Sequence, residues 1–312
     1  MSLIPRLKFL IARLLPYNVA QLIYRYKAWR RKRRDNSVEA RLAELRNFLI
    51  VQHPITQTPP AQGKLRLLQD GNAVLLELFA KRCQEHGLRF WLDYGTLLGT
   101  IRHKGFIPWD DDLDVSMLRT DYEKLIELLP IMFPREEGFS WGTHAFLQLG
   151  YKGTPLNLDI FPWHLHSAPF NEKEKAIIDS GLTRMKKKIV FMNGMLNYTD
   201  EQIQDLIRNN ILNAQSPLPE SGTPAIFRSP AVTFVKNCIF AYEEIFPLKV
   251  TSFEGRDMPI PNHTRQYLQI LYGNYMAYPP KIGFQHHTVE EMVNRVPFES
   301  SVNQFIDTYG RA

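Results

Sequence analysis

Cysteine is scarce in this sequence, since Cys83 and Cys238 are the only two in 312 residues. Two cysteines that lie far apart provide neither a disulfide framework nor the C-x-x-C pairs of structural zinc sites. Disulfide-rich secreted domains and zinc ribbons are therefore excluded as classes. The sequence favours a reducing, cytosolic compartment.

Several nucleotide- and calcium-binding signatures are also missing. No G-x-x-x-x-G-K-[ST] run occurs, and GTLLG at 95–99 does not match the G-x-G-x-x-G of dinucleotide-binding folds. An EF-hand loop that began at Asp110 would have Val115 and Asp121 where glycine and glutamate are required. P-loop, Rossmann and EF-hand proteins are thus excluded.

Acidic residues are absent from residues 1–34, which carry ten lysines or arginines. The net charge of +6 comes from this segment, because the rest of the chain has 28 basic and 32 acidic residues, a net of −4. A nucleic-acid-binding body would need a basic face of its own. We therefore expect no nucleic-acid partner.

The same segment lacks a long hydrophobic run. Its longest uncharged stretch, residues 14–24, has 11 residues and includes Pro16, whereas a membrane-spanning helix needs about 20 apolar residues. Apolar residues recur at helical spacing among the basic ones, which is typical of an amphipathic helix on an anionic membrane surface. A helical hairpin packed on the body is the alternative. We expect a cytoplasmic protein held peripherally at the inner membrane face.

The composition changes at residues 51–63, a proline-rich polar stretch that predicts a linker. We therefore divide the chain into an N-terminal helical segment with its linker, residues 1–60, and a body, residues 61–312. In the body, a helix pattern at 64–87 comes first; Gly71 could delay its start, and Gly87 ends it. Thr120 and Glu123 predict a capping box for another helix.

Strand patterns dominate the first half of the body, at 88–94, 113–118, 145–151 and 156–163. Helix patterns follow at 171–191, 200–212 and 231–246, with a short one near 264–273. Strands first and helices later predict an α+β fold, with a small mixed sheet and helical additions.

Four aspartates crowd an apolar run: Asp110, Asp111, Asp112 and Asp114. In a strand, Asp112 and Asp114 would point to one face and Leu113 to the other. Two carboxylates 4 Å apart repel by about 4 kcal/mol at an effective dielectric of 20. A divalent cation removes that repulsion, and Mg²⁺ or Mn²⁺ suits oxygen ligands when phosphate is also bound.

A third acid, Asp159, lies in the apolar run LNLDIF and shares a face of the predicted strand with Asn157. If this strand neighbours the first, Asp159 completes a three-carboxylate metal site. Upstream, DYGTLLGTIRHKG predicts a strand, a turn at Gly95 and Thr96, and a helix from Leu97 to His103.

Backbone amides at such a turn and helix start form an anion site. Arg102 and Lys104 add positive charge nearby. A phosphate cradle, an acidic pair and a third acid favour metal-assisted phosphoryl transfer. A nucleotide-sugar glycosyltransferase, which also binds its metal through an Asp-x-Asp pair, is the main alternative. An acidic turn or a cap cluster at a strand start is the non-catalytic one.

The run LDYGTLLGTIRHKGFIPWDDDLDVSM (92–117) resembles the signature of the LicD family, which includes the fukutin and fukutin-related proteins. LDIFPW (158–163) resembles the second acidic block of that family. FEGRDMPIP, YLQILYGNYM, the pair PP and a histidine at His286 or His287 resemble its closing pattern more loosely.

The resemblance implies a nucleotidyltransferase fold of the DNA-polymerase-β type for residues 61–312. It also implies transfer of a phospho-alcohol, such as phosphocholine or ribitol phosphate, from a CDP-activated donor to a sugar hydroxyl, with release of CMP. The acceptor would be a surface glycan or its lipid-linked precursor, of the lipopolysaccharide, capsule or teichoic-acid type. A catalytically dead membrane scaffold of the same fold is a further alternative.

The same resemblance assigns residues to roles. Gly95 and Thr96 would hold donor phosphate, and Asp112, Asp114 and Asp159 would bind the metal. Asp110 would be a further ligand or the base for the acceptor hydroxyl, and Arg102 would balance charge on the diphosphate. Asp111, on the opposite strand parity, is interpreted as structural.

Acceptor choice is expected to reside in residues 171–250. Phe191, Tyr198 and Phe227 could form a cation–π box for a quaternary ammonium, although core packing is the alternative. Trp109 is expected to line the site, and His286 and His287 are candidates for substrate contact.

Membrane binding of the N-terminal segment can be measured by flotation. Residues 1–60 fused to a soluble reporter should float with anionic vesicles, because each basic residue contributes about 1 kcal/mol near such a surface. Absence of binding to anionic vesicles would rule out the membrane interpretation.

Overall fold

The computed structural model describes residues 54–143, 146–166, 225–228, 239–278 and 297–310, together with the helical residues 38, 41, 45, 173 and 177. The chain divides into two compact units, residues 1–55 and 56–312. The folded part described below belongs to the second unit. The boundary after residue 60 stays a prediction.

Six α-helices of the second unit have both ends among the described residues. They are α1 (Gly63–Glu85), α2 (Tyr94–His103), α3 (Arg119–Met132), α4 (Tyr242–Ile245), α5 (Thr264–Tyr272) and α6 (Phe298–Tyr309). Short 3₁₀ turns lie at Ile55–Gln57 and Arg135–Glu137.

Nine strands occur in the same part of the chain. They are β1 (Trp91–Leu92), β2 (Leu113–Leu118), β3 (Phe139–Thr143), β4 (Leu147–Tyr151), β5 (Asn157–His166), β6 (Ala225–Arg228), β7 (Ile239–Ala241), β8 (Lys249–Phe253) and β9 (Arg256–Ile260). Mixed helices and strands agree with the predicted α+β class.

The first seven strands form one mixed sheet around β5. On one side β5 runs parallel to β2, which is antiparallel to β1. On the other side, the first half of β5 pairs with β4 and its second half with β6. Strands β3 and β7 complete the two ends, and β8 and β9 form a separate hairpin. Helices α1, α2 and α3 pack against β2 and β5.

Helix α1 starts before Gly71, so the predicted delay of its start is wrong. Gly71 lies inside the helix, where a Cβ would come within 2.7 Å of Leu156 and 2.8 Å of Val302. Glycine there allows the close approach of α6 and of the segment that leads into β5. The predicted end near Gly87 is confirmed, because α1 ends at Glu85.

Strand β2 occupies the predicted residues 113–118, and β5 extends the prediction to His166. The capping box of Thr120 and Glu123 is wrong, because α3 already begins at Arg119 and Leu118 holds the cap position. Pro130 lies inside that helix, and β3 was not predicted at all.

The C-terminal half differs most from the prediction. Residues 239–241 form β7 rather than part of a helix, and Ala225–Arg228 form a strand between two predicted helices. The predicted helix near 264–273 is confirmed as α5. Residues 200–212 and most of 171–191 lie outside the described residues.

Aromatic packing joins the two ends of the body. Phe305 of α6 contacts Tyr151 of β4, and Tyr151 contacts Phe139 of β3. Phe139 in turn contacts Phe133, which stacks on Phe79 of α1. The last helix is therefore part of the same core as the sheet.

No helix among the described residues is both long enough and apolar enough to cross a bilayer.

Replacement of Phe305 tests this core contact. Phe305 is 1% exposed, so Phe305→Ala should lower the free energy of unfolding by about 3–5 kcal/mol through lost burial and a cavity. Asn303→Ala, an exposed change on the same helix, should stay within about 0.5 kcal/mol. Urea denaturation measures both, and equal values would show that α6 lies outside the cooperative core.

Candidate active site

The parallel pairing of β2 with β5 brings three acids together. Asp114 and Asp159 occupy the same register position on these neighbouring strands. Asp112 lies just before β2, and oxygen atoms of the three carboxylates all lie within 4.8 Å of one another. The structure thus gathers the three acids predicted as metal ligands.

A second carboxylate group adjoins the first. Oxygen atoms of Asp110, Asp111 and Asp112 also lie within 4.8 Å of one another, so Asp112 belongs to both groups. Strand β2 begins only at Leu113, and strand parity therefore does not govern residues 110–112. The separation of Asp111 from its neighbours by parity is wrong, since its carboxylate reaches theirs.

Two buried amides of α1 hold the acidic loop in place. Gln69 donates to the carbonyl oxygens of Asp110 at 2.8 Å and Ile107 at 3.3 Å. Asn72 Nδ2 donates to the carbonyl oxygen of Asp111 at 2.9 Å, and Asn72 Oδ1 accepts from the backbone amide of Asn157 at 3.1 Å. The sequence reasoning missed both residues, whose signal was a pair of amides three positions apart in an apolar helix.

Asp114 is bonded to the start of α2 at three places. Its carbonyl oxygen accepts from Asp93 N at 3.0 Å, and its Oδ2 accepts from Gly95 N at 3.1 Å. Its own amide donates to Thr96 Oγ1 at 2.8 Å. Residues 93–96 therefore set both the backbone and the side chain of Asp114.

The predicted turn at Gly95 and Thr96 is wrong, because α2 already begins at Tyr94 with Asp93 as its capping residue. Asp93 accepts the Tyr94 amide at 2.7 Å, which satisfies one of the free donors of the first turn. Gly95 and Thr96 thus lie in the first helical turn, where backbone amides still face outward along the axis. Their assignment to donor phosphate stays a prediction.

Gly95 also allows an acid to come close. A Cβ at this position would lie 2.6 Å from Asp110 Oδ2 and 3.5 Å from Asp114 Oδ2. Any side chain here would displace Asp110 from the cluster. The glycine is therefore required by space as much as by its backbone amide.

Neutral donors orient Asp159. Its Oδ1 accepts from Asn157 Nδ2 at 2.6 Å and from Gln148 Nε2 at 3.0 Å, while the residue is 9% exposed. Asn157 lies two positions away on β5, and Gln148 lies opposite Asp159 on β4. Because both donors are uncharged, they fix the carboxylate without neutralising it.

The acids raise one another's pKa values. Burial, and then the neighbouring carboxylates of Asp112 and Asp159, hold the pKa of Asp114 well above its usual range. Burial and the charges of Asp112 and Asp111 do the same to the pKa of Asp110, against a smaller opposing effect of Arg102. Such values indicate an excess of negative charge that a cation would relieve.

Of the predicted cations, Arg102 is the one placed beside an acid. It is 6% exposed, interacts electrostatically with Asp110, and donates from Nη1 to the Tyr275 carbonyl at 3.0 Å. Burial lowers its pKa to about 10, which leaves it charged at neutral pH. Lys104 is exposed and follows the end of α2, and Trp109 is partly buried against the core.

The β8–β9 hairpin supports the loop behind the cluster. Glu254 accepts from Arg66 of α1 at 2.6 Å and from Phe106 N at 3.1 Å, and its amide donates to the Lys104 carbonyl. Burial alone would raise the pKa of Glu254, but the bonds from Arg66 and Phe106 lower it overall. The segment that resembles a closing family pattern thus fixes the C-terminal end of α2.

Most of the remaining candidates lie outside the described residues. His286, His287, Phe191 and Tyr198 lie outside the described residues. Phe227 lies on β6 at the register position of His164. The predicted cation–π box and the histidine contacts stay predictions.

The residues present fit a divalent ion. Three carboxylates with oxygen atoms within 4.8 Å supply the oxygen ligands that Mg²⁺ and Mn²⁺ take in proteins. The metal role of Asp112, Asp114 and Asp159 stays a prediction.

Known proteins are similar to this chain in sequence. A family profile described as "LicD/FKTN/FKRP, nucleotidyltransferase domain" matches residues 87–221. The lipopolysaccharide cholinephosphotransferase LicD of Haemophilus influenzae is 25% identical over 254 residues, which cover 70% of this chain and 93% of that protein.

Two mammalian relatives match over a shorter stretch. The ribitol-5-phosphate transferase FKTN of Mus musculus is 36% identical over 94 residues, which cover 28% of this chain and 19% of that protein. The ribitol 5-phosphate transferase FKRP of Homo sapiens is 33% identical over 85 residues, which cover 25% of this chain and 17% of that protein.

The matched relatives with named activities are a cholinephosphotransferase and ribitol-phosphate transferases. Residues 87–221 match the LicD family profile, as the sequence motifs predicted, and the chain is similar in sequence to named proteins of that family.

The raised pKa of Asp110 makes stability depend on pH. In the unfolded chain this acid titrates near pH 4, so the folded protein holds its proton to higher pH and loses stability as the pH rises through the raised pKa. Without divalent ions, Asp110→Asn should therefore become more stabilising relative to wild type as the pH rises from about 4. Urea denaturation in EDTA measures this difference.

The comparison with wild type cancels the titration of His103, whose pKa burial lowers to about 4. Asp257→Asn, a change of an exposed acid on β9, should show no such trend. A stabilisation by Asp110→Asn that shrinks as the pH rises would contradict the assignment.

Proposed function

We propose that this protein transfers a phospho-alcohol from a CDP-activated donor to a sugar hydroxyl of a surface glycan or its lipid-linked precursor. Phosphocholine and ribitol phosphate are the two groups named in its relatives. The observation that carries the proposal is the in-register pair Asp114 and Asp159, which meets Asp112 at the start of α2.

The reaction joins the acceptor oxygen to the phosphorus that bears the alcohol. The anhydride bond between the two donor phosphates breaks, and CMP leaves with the bridging oxygen. The proton of the acceptor hydroxyl passes to a base. Because little other covalent chemistry is needed, positioning and charge stabilisation account for most of the catalysis.

Asp112, Asp114 and Asp159 would hold Mg²⁺ or Mn²⁺. When bound, such an ion neutralises charge that develops on phosphate oxygens. The neutral donors Asn157 and Gln148 orient Asp159 toward the position of the ion, and the α2 start orients Asp114.

Donor phosphate would lie against the start of α2. The positive end of the helix dipole favours an anion there, while the Gly95 amide is already bonded to Asp114 Oδ2. Thr96 is 2% exposed and engaged by the Asp114 amide, so its contribution would come from its backbone. Arg102 would balance charge on the diphosphate, and Lys104 could reach it from solvent.

Asp110 has two roles open to it. As a ligand it would bind the cation together with Asp112. As a base it would take the proton of the acceptor hydroxyl. Its raised pKa favours proton uptake. A metal-bound carboxylate would instead stay ionised.

The fold and location are part of the same proposal. A nucleotidyltransferase fold of the DNA-polymerase-β type agrees with the description of the matched family. Peripheral attachment of residues 1–34 to the inner face of the membrane would bring the cytoplasmic body close to lipid-linked glycan precursors.

A donor panel tests the function. The full-length protein, with an acceptor glycan preparation and Mg²⁺ or Mn²⁺, should release CMP from one of CDP-choline, CDP-ribitol and CDP-glycerol. Asp114→Asn and Asp159→Asn should lower the rate at least 100-fold, since each removes a proposed ligand to the cation. Asp257→Asn serves as the matched exposed control and should keep the wild-type rate.

Other results of the donor panel would indicate one of the alternative functions. Release of UDP or another nucleotide from nucleotide sugars, with no CMP release, would indicate a glycosyltransferase. No turnover together with no Mn²⁺ binding by calorimetry would indicate a catalytically dead scaffold. Near-normal rates for Asp114→Asn would refute the assigned mechanism.

A further inference from the structure

A wholly buried carboxylate lies beside the acid cluster. Asp93 is 0% exposed and accepts three hydrogen bonds at its side chain: from Tyr94 N at 2.7 Å, from Ser116 Oγ at 2.6 Å and from Tyr267 Oη at 2.5 Å. Burial of a carboxylate is costly unless its oxygens are satisfied. Asp93 is not among the acids whose oxygens form the two candidate metal groups.

The donors to Asp93 come from three separate segments. Tyr94 starts α2, Ser116 lies on β2 and Tyr267 lies on α5. Ser116 also accepts from Trp163 Nε1 of β5 at 3.0 Å, and Trp163 packs against Tyr267. One carboxylate therefore joins both acid-bearing strands to helix α5.

Residues 93–96 bond directly to Asp114, so the position of Asp93 determines that of Asp114. Its backbone amide bonds to the Asp114 carbonyl, and the next residues provide Gly95 N to Asp114 Oδ2 and Thr96 Oγ1 to the Asp114 amide. A shift of residues 93–96 would therefore move the carboxylate of Asp114 itself.

We propose that Asp93, held by Tyr267 and Ser116, is a positioning residue that fixes Asp114 for its cation. This proposal rests on the metal site of the proposed function. It places Tyr267, which lies beyond the family match at residues 87–221, within the apparatus that shapes the site.

Arg102 gives α2 a second connection to the same C-terminal region. Its Nη1 donates to the carbonyl of Tyr275, three residues after the end of α5. The helix that carries Gly95 and Thr96 is thus held at its capping residue and in its last turn by residues 264–278. Asp93 is the connection nearest to Asp114.

Tyr267→Phe tests the proposal without changing any charge. In the full-length protein it should raise the Mn²⁺ dissociation constant about tenfold, the lower end of the effect of losing a supporting partner of a metal ligand. Calorimetry with Mn²⁺ alone provides the measurement, at a temperature where the variant is fully folded by circular dichroism. A purely structural hydroxyl would lower the melting temperature and leave the affinity of the folded protein unchanged.

Tyr122→Phe is the matched control. Tyr122 is 1% exposed, like Tyr267, and lies on α3 beside Arg119. Its hydroxyl should be dispensable for Mn²⁺ binding. Should Tyr267→Phe fail to fold, Ser116→Ala provides a second test. It removes the hydroxyl that donates to the other carboxylate oxygen of Asp93 and should weaken Mn²⁺ binding in the same way.

The outcomes separate this proposal from the function. Wild-type and Tyr267→Phe proteins that bind Mn²⁺ equally would overturn the positioning role and leave the metal site intact. A wild-type protein that binds no Mn²⁺ would overturn both.

Discussion

The parallel register of β2 and β5 is the constraint on which the site depends. It sets Asp114 beside Asp159, and a slip by one residue would turn every side chain of β2 to the other face. Leu113, Val115 and Met117, each 0% exposed, fix that register by burial. The apolar run therefore holds two carboxylates side by side.

Most bonds that hold this acidic region are made by neutral groups. Gln69 and Asn72 bind the loop backbone, and Asn157 and Gln148 bind Asp159. A lysine or arginine in the places of Asn157 and Gln148 would neutralise the carboxylate of Asp159. Amides fix geometry while the negative charge remains. Arg102, the buried cation nearby, bonds to a backbone carbonyl instead.

The sequence was sufficient for the parts of the fold with strong local patterns. The apolar alternation of residues 113–118 and 156–163 located β2 and β5, and the family resemblance paired their acids. Prediction from the sequence failed where tertiary packing overrides local preference. Gly71 lies inside α1 because α6 passes close by. Residues 239–241 pair as a strand despite a helical pattern. The bonds of Asp93 and Asn72 join segments remote in sequence, so no local pattern could reveal them.

The contact between Tyr267 and Asp93 joins residues 174 positions apart. The entropy lost in closing such a chain loop rises with its length, and a growing polypeptide makes β1, β2 and β5 before it makes α5. These three strands can therefore pair before the buried carboxylate of Asp93 has its phenolic partner. The support of Asp114 is thus complete only after α5 has been synthesised.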